Sequence, residues 1–455
     1  MTREELQQRL RGVAIDPGHP GYDAARAVYN AAIDRRPALV VQCCDAADVM
    51  AVVAYAREAG LRLAVRGGGH SGAGLGVVDD GVVADLSQMR SVRIDPAAGT
   101  VRVEGGCLWH DVDHATHPFG LAVPGGVVST TGVGGLTLGG GHGYLARKYG
   151  LSIDHLLEAD VVLADGRQVV ASASQNPDLF WAIRGGGGNF GVATSFLFRS
   201  VPVSTVHGGP TLWPIEDLRD AMRWYDAFTA AASDDVYGFF VIMDVPPAPA
   251  FPTALHGRRV CGVVWCLLGS PAEAEAVLEG VRAFRTPLLE HVGPVPLPAL
   301  NALFDPLIPP GLQWYWKGHF FERITDDAID VHASFAERLP TPLSMMHLYP
   351  VDGAASRVPA SETAFTYRDA RWSMVIGGID PDPARLPILR TWARDYWQAL
   401  QPHAAGGGYV NFMQEEGEDR VHATYRGNYP RLAAIKGRYD PANFFNVNWN
   451  IKAAT

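Results

Sequence analysis

The sequence predicts an α+β chain of two domains. Three observations carry that expectation. Residues 38–200 are a succession of short β-rich runs separated by glycine turns. After Pro202 the chain changes to longer apolar runs and longer helical patterns. The 50 glycines gather at 67–76, 125–143 and 185–191, which points to local backbone work and not to low complexity.

In chain order, Met1 to Leu10 is charged and reads as an amphipathic helix; it lacks the apolar stretch of a signal peptide. Ala38 to Val41 reads as a strand. Asp45 caps a helix running to Glu58, with Val49, Met50, Val52, Val53 and Ala56 apolar. Leu63 to Arg66 is the next strand, so this stretch predicts a βαβ unit. Val82–Leu86 and Val101–Glu104 are further strands, Trp109–His117 a helix, and Ala159–Leu163, Val169–Val170 and Ala193–Phe198 complete a mixed region. Beyond Pro202, the runs Phe239–Met243, Val260–Leu268 and Trp372–Ile376 with helices Asp217–Ala232 and Pro271–Thr286 predict an antiparallel sheet backed by helices. Gly406, Gly407 and Gly408 break the chain before a final helix around Asn428–Lys436. The expected division is 1–203 with 405–455 for one domain and 204–404 for the other.

Hydrophobic residues make up 47% and charged residues 19%, ordinary for a soluble enzyme. A formal net charge of −10 gives no electrostatic support for nucleic-acid binding. No basic run suggests a membrane surface, and no apolar run has transmembrane length. The cysteines Cys43, Cys44, Cys107, Cys261 and Cys266 form no CxxC pair, and their odd number suits a reducing compartment. The expectation is a cytoplasmic monomer or homodimer. His110, His114 and His117 lie near Asp111 and Asp113 without a metalloenzyme signature, so they read as a polar helix face and no metal is expected.

The most informative heptad is Arg66-Gly67-Gly68-Gly69-His70-Ser71-Gly72, directly after a strand. Its glycines let backbone N–H groups approach an anion, and they set a histidine beside it. Gly67/Gly69/Gly72 and Gly186/Gly188/Gly191 both match G-x-G-x-x-G. In neither case does a helix follow: turn residues follow Gly72, and the strand-like Val192–Phe198 follows Gly191. A dinucleotide fingerprint needs that helix, so both matches are set aside.

Four blocks in order, RGGGHSG, STTGVGGLTLGGGHG, RGGGGNFGV and YDPANFFNVNWNI, resemble the FAD-linked oxidases of the vanillyl-alcohol oxidase superfamily, in the berberine-bridge-enzyme-like branch. Within it the chain is similar to bacterial secondary-metabolism oxidases related to the enterocin flavoenzyme. The resemblance covers almost the whole chain. It implies a PCMH-type FAD-binding domain and an antiparallel-sheet substrate domain. It implies FAD joined by its 8α-methyl to His70, with Arg66, Gly67, Gly68, Gly69, His70 and Ser71 around the pyrophosphate. Gly125, Thr130, Thr131, Gly132, Gly134, Gly135, Gly139, Gly140 and Gly143 would line the rest of the cofactor, and Asp154, Val192 and Asn448 would touch it. Many members carry a second link, from a cysteine where this chain has Val128, so a single covalent bond is expected.

The resemblance further implies hydride transfer from a small organic substrate to the flavin, with O2 as acceptor. The substrate expected is an alcohol, amine or ring C–H of a secondary metabolite. A carbohydrate oxidase, a flavin dehydrogenase using another acceptor, and a catalytically silent flavin-binding protein stand as alternatives. Members often use a tyrosine of a Y-x-N-Y stretch as base; here the stretch is Tyr409-Val410-Asn411-Phe412, and phenylalanine cannot exchange a proton. Tyr409 and His142 are therefore the candidate proton acceptors, with His347, Tyr349, Tyr367 and Glu415 behind them. Thr131 stands where relatives tune oxygen access. Trp314, Tyr315, Trp316, Phe320, Phe321 and Trp372 offer aromatic walls, most of them expected in the sheet–helix core.

Overall fold

The computed structural model describes residues 1–454. Three sheets build it. The first holds β1 (Val13–Ile15), β2 (Leu39–Gln42), β3 (Leu63–Arg66) and β4 (Val82–Asp85) in the order β1-β2-β4-β3. Strands β2, β4 and β3 are parallel, and β1 adds an antiparallel edge beside β2. Helix Ala46–Glu58 joins β2 to β3, and the Asp45 carboxylate accepts the Asp48 N–H at 3.0 Å at its N-terminus. Such a cap is worth about 1 kcal/mol. The predicted β2–helix–β3 unit exists, but its strands are not neighbours. Strand β4 runs between them and bonds to both.

The second sheet is antiparallel, with β5 (Val92–Asp95), β6 (Thr100–Glu104), β7 (Leu156–Val162), β8 (Gln168–Ser172) and β9 (Val192–Arg199) in the order β5-β6-β9-β7-β8.

The third sheet has eight antiparallel strands: β10 (Thr205–Pro214), β11 (Val236–Asp244), β12 (Arg259–Leu267), β13 (Leu289–Glu290), β14 (Gly293–Pro296), β15 (Gln313–Phe321), β16 (Met345–Pro350) and β17 (Trp372–Asp380). Helices Leu218–Ala231, Pro271–Phe284, Asp326–Ala336 and Leu386–Leu400 cover one face, packing on Trp213, Trp265, Tyr315 and Trp372 of the strands. The opposite face meets the glycine-rich part through Ala122, Tyr144, Leu145 and Val201.

Strand alternation decides which side chains look each way. On β16, Met346 and Leu348 enter the helix-backed core, while Met345, His347 and Tyr349 face the glycine-rich part. On β15, Tyr315 goes to the core, and Trp314 and Trp316 go to the other side.

The C-terminal segment closes the structure. Helix Tyr429–Tyr439 carries the fully buried Lys436, whose Nζ donates to the carbonyls of Asn189 (2.7 Å) and Phe445 (3.0 Å) and to the Asp440 carboxylate (2.6 Å). Asn189 in turn accepts the Ile451 N–H at 2.9 Å and donates to the Trp449 carbonyl at 3.2 Å. The tail is thereby stapled to the glycine loop at 185–191, which brings the third and fourth sequence blocks together.

Candidate active site

A cavity of about 340 Å³ lies between the glycine loops and the third sheet. One side is backbone: Gly67 to Ser71, Gly132, Gly134, Gly135, Gly139, Gly187, Gly188 and Gly191 line it. Gly69 takes φ +68°, the left-handed conformation that glycine tolerates best. A Cβ on Gly68 would stand 2.4 Å from the Gly132 nitrogen, so the first two glycine loops touch backbone to backbone.

None of the N–H groups of Gly67, Gly68, Gly69, His70 and Ser71 has a hydrogen-bond partner among the described residues. A row of unpaired backbone donors beside a cavity calls for an acceptor-rich ligand. A dinucleotide pyrophosphate has that chemistry, so these residues fit FAD. Asn448 also lines the cavity. Its Nδ2 donates to Gly188 and Phe445 carbonyls, each at 3.1 Å, and its Oδ1 is buried without a partner.

The His70 Nε2 lies 3.0 Å from Thr130 Oγ1. Its ring stacks on Tyr29, centroids 3.8 Å apart and planes 21° from parallel. Burial without a charged partner pulls its pKa down to about 3, which keeps the imidazole neutral. Arg66 also borders the cavity, but Asp85 engages its guanidinium at 2.7 Å and the Ala27 carbonyl accepts a second bond at 3.0 Å. Its charge anchors the loop to β4.

Several expected positions stand elsewhere. Gly125, Gly140 and Gly143 are not on the cavity lining. A Cβ on Gly125 would meet Trp109 at 2.6 Å, and one on Gly143 would meet the Gly125 carbonyl at 2.1 Å, so both serve close packing. Gly140 takes φ +128°. Asp154 is also off the lining: both its oxygens accept from Arg368, at 2.7 and 2.8 Å, and the Leu151 N–H adds a third bond. Thr130 is absent from the lining too and acts on His70 from behind. Thr131 and Val192 are on it.

The opposite wall is apolar and aromatic, with Phe304, Ile308, Trp314, Trp316, Met345, Val375 and Phe412. Arg66 is the one ionic side chain on the whole lining among the described residues. His142, His347, Tyr349, Tyr409 and Asn411 supply polar atoms on this side, and Tyr29, Ser71, Thr131, Asn189 and Asn448 supply others around the lining. The Tyr409 phenol oxygen accepts the Gly141 N–H at 2.9 Å and the Asn411 amide at 2.8 Å. Burial raises its pKa to about 12, partly opposed by those donors. His142 lies 4.5 Å from the Tyr409 ring, bonds Ser373 Oγ at 3.1 Å, and is held near pKa 3 by burial. His347 Nδ1 pairs with the Tyr349 hydroxyl at 2.7 Å.

Tyr367 and Glu415 do not reach the cavity. The Tyr367 hydroxyl bonds the Ala423 carbonyl, and Glu415 pairs with Arg390 and Arg394. Cys107 is buried away from the lining with its thiol pushed up to about 12, whereas Val128 borders the cavity.

Sequence reasoning missed Tyr29 and Asn30, which sit in no periodic segment. The fully buried Asn30 donates to the carbonyls of Gly72 (2.8 Å) and Trp314 (3.1 Å) and accepts the Trp314 N–H (3.0 Å), joining the first loop to β15.

Comparison with known proteins agrees with this geometry. An FAD-binding-domain family model matches residues 37–172, and a "Berberine and berberine like" model matches 408–452. The chain is 30% identical to (R)-6-hydroxynicotine oxidase of Paenarthrobacter nicotinovorans, over 97% of each chain. The crystal structure of 6-hydroxy-D-nicotine oxidase from Arthrobacter nicotinovorans superposes with TM-score 0.86 at 26% identity, covering 97% of this chain and 98% of that one. Glucooligosaccharide oxidase from Acremonium strictum, described as carrying 6-S-cysteinyl, 8α-N1-histidyl FAD, shares the fold with TM-score 0.84 at 20% identity, over 97% and 96% of the two chains. The glycine blocks, the stapled tail and these matches together identify the chain as a member of the berberine-bridge-enzyme-like FAD-linked oxidoreductases.

Proposed function

We propose that this oxidoreductase carries its FAD bonded to His70 and oxidises a small uncharged organic substrate, with O2 as electron acceptor. The substrate class is an alcohol, neutral amine or ring C–H of secondary-metabolite type. One observation supports this most: a single cavity runs from the unpaired amides of 67–71 to an aromatic wall, with Arg66 as its one ionic side chain. A charged substrate would lose its hydration there without a counter-ion. Flat apolar rings would be well covered by the aromatic wall. A relative 30% identical to this chain is named for oxidation of (R)-6-hydroxynicotine, a small organic amine.

FAD supplies the two-electron redox chemistry when bound. The chain's own residues position the substrate and manage its proton. Tyr409 is assigned as proton acceptor on its position: its oxygen lies at the cavity, held by two N–H donors that offset part of the burial raising its pKa to about 12. His142, with its pKa near 3, is too weak a base to compete, and its Nε2 is already paired with Ser373. Thr131 is assigned to oxygen access. The domain division at 203/204 and 404/405 is retained as part of this reading, with the third sheet as the substrate part.

The test begins with acid precipitation. Wild type is expected to give a yellow pellet and His70→Ala a colourless one. A peroxide assay across neutral aromatic alcohols, amines, acids and sugars then ranks substrates. Preferred oxidation of sugars or carboxylates overturns the substrate class. Reduced enzyme that O2 fails to reoxidise in stopped flow overturns the oxidase assignment.

A further inference from the structure

We infer that Thr130 and Tyr29 are positioning residues for attachment of the flavin: together they select the imidazole nitrogen of His70 that bonds the cofactor, and orient it. This rests on the proposed His70 linkage and goes beyond it. His70 has two ring nitrogens, and the structure distinguishes them. Nε2 is taken by Thr130 Oγ1 at 3.0 Å, while Nδ1 has no protein partner and is not sealed off from the cavity. The ring remains neutral, so it holds one proton for two nitrogens. An Nε2–H donated to Thr130 leaves the lone pair on Nδ1, the nitrogen open to the ligand. Thr130 cannot drift, because the chain on either side of it is pinned: the Ser129 carbonyl accepts the His110 N–H at 2.9 Å and the Thr131 carbonyl accepts the Trp109 N–H at 3.0 Å.

Tyr29 fixes the remaining freedom, the tilt of the ring. Its phenol face lies on the imidazole at 3.8 Å. Its backbone N–H donates to the Gly69 carbonyl at 3.1 Å, its carbonyl accepts the Gly311 N–H at 3.2 Å, and its hydroxyl donates to the Ile308 carbonyl. Tyr29 is therefore fastened at both ends, to the His70 loop and to the segment leading into β15. A nucleophile pre-aligned in this way reacts faster without needing any stronger contact with its target.

The chemistry balances within the pair. The new bond joins Nδ1 to the 8α carbon. One hydrogen leaves that carbon and one leaves the imidazole, and the electron pair stays with the flavin, which ends in its two-electron reduced form. O2 then returns it to the oxidised form and leaves as hydrogen peroxide.

The experiment adds FAD to flavin-free protein and follows covalent incorporation with time by intact mass and by acid-insoluble flavin. Noncovalent binding is measured separately from protein fluorescence quenching. Thr130→Val is expected to slow incorporation about tenfold, the scale of one lost hydrogen bond, with FAD binding retained. Thr130→Ser restores the rate. Tyr29→Leu slows incorporation by a similar factor and Tyr29→Phe, which keeps the stacking face, recovers most of it. Wild-type rates in both Thr130→Val and Tyr29→Leu, with flavin bound, overturn the inference and leave the His70 linkage standing. Valine and leucine variants that bind FAD as tightly as wild type while their serine and phenylalanine counterparts fail to rescue also overturn it. Wild-type protein that never acquires flavin mass overturns the linkage itself and the inference with it.

Discussion

Replacing Asp154 with alanine separates a structural role from the cofactor role that family resemblance assigns to it. Its two oxygens grip Arg368 at 2.7 and 2.8 Å, and the side chains are 9% and 4% exposed. Arg368 donates further to the Ala355 carbonyl (2.9 Å) and Thr363 (3.1 Å), so its guanidinium cannot swing to water without losing those bonds as well. Removing the carboxylate deletes two charge-assisted hydrogen bonds, each worth about 1.5–3 kcal/mol, and strands a buried cation. The two estimates agree on a loss of about 3–5 kcal/mol. For a cooperative unit of roughly 200–450 residues that lowers the thermal midpoint by about 3–12 °C. The control is Asp330→Ala, which breaks the exposed Arg219 pair, 50% and 62% accessible, and should cost less than about 1 kcal/mol. Scanning calorimetry measures both, and acid-insoluble flavin is measured on the same samples. Asp154→Ala/Arg368→Met should recover much of the loss, since no buried charge is left alone. An Asp154→Ala protein with an unchanged midpoint and no bound flavin refutes this reasoning and returns Asp154 to the cofactor.

Three further outcomes are expected. Tyr409→Phe keeps its flavin but loses about 10²–10⁴ in kcat in the peroxide assay, the range for a general base. His70→Ala/Val128→Cys regains a yellow acid pellet that His70→Ala lacks, because position 128 borders the same cavity and is where the family resemblance puts the cysteine of a second link. Asp113→Asn raises the thermal midpoint more at pH 8 than at pH 5. Burial lifts the Asp113 pKa to about 7, against the Asn301 hydrogen bond that lowers it. The folded state therefore holds a proton that the unfolded chain releases near pH 4, and stability falls as pH rises between the two. Asparagine abolishes that loss and offers an N–H to the unpartnered Asn301 Oδ1; equal midpoint gains at both pH values count against it.

The glycine loops were legible because their residue type is dictated locally. A left-handed φ at Gly69 and the backbone contact between Gly68 and Gly132 exclude side chains, and such exclusions leave a visible mark in the chain. Strands such as Leu63–Arg66, Val82–Asp85 and Arg259–Leu267 were legible through period and turn residues, whereas Thr205–Pro214, Gln313–Phe321 and Met345–Pro350 were not named from the sequence. Long-range partners were not. Nothing around Tyr29 signals that it will lie on a ring 41 residues away, and helix Ala46–Glu58 does not reveal that β4 will slip between the strands it connects. Asp154 shows the opposite failure: it matched a family position, yet its environment is set by an arginine more than two hundred residues distant. His347 and Tyr349 were candidates among several, and only strand alternation on β16 separated them from Tyr367 and Glu415.

The Asn30 carboxamide has a consequence for how a ligand gets in. It spans the seam between the cofactor loop and β15, and a swing of one half away from the other would break its bond to Gly72 or both its bonds to Trp314 and leave part of a sealed amide bare. The width of the slot is thus a fixed gauge, set when the chain folds and not adjusted at each turnover. Guests would be sorted by thickness at the mouth, and passage would be governed by rotation of the rim side chains, so turnover should be insensitive to solvent viscosity.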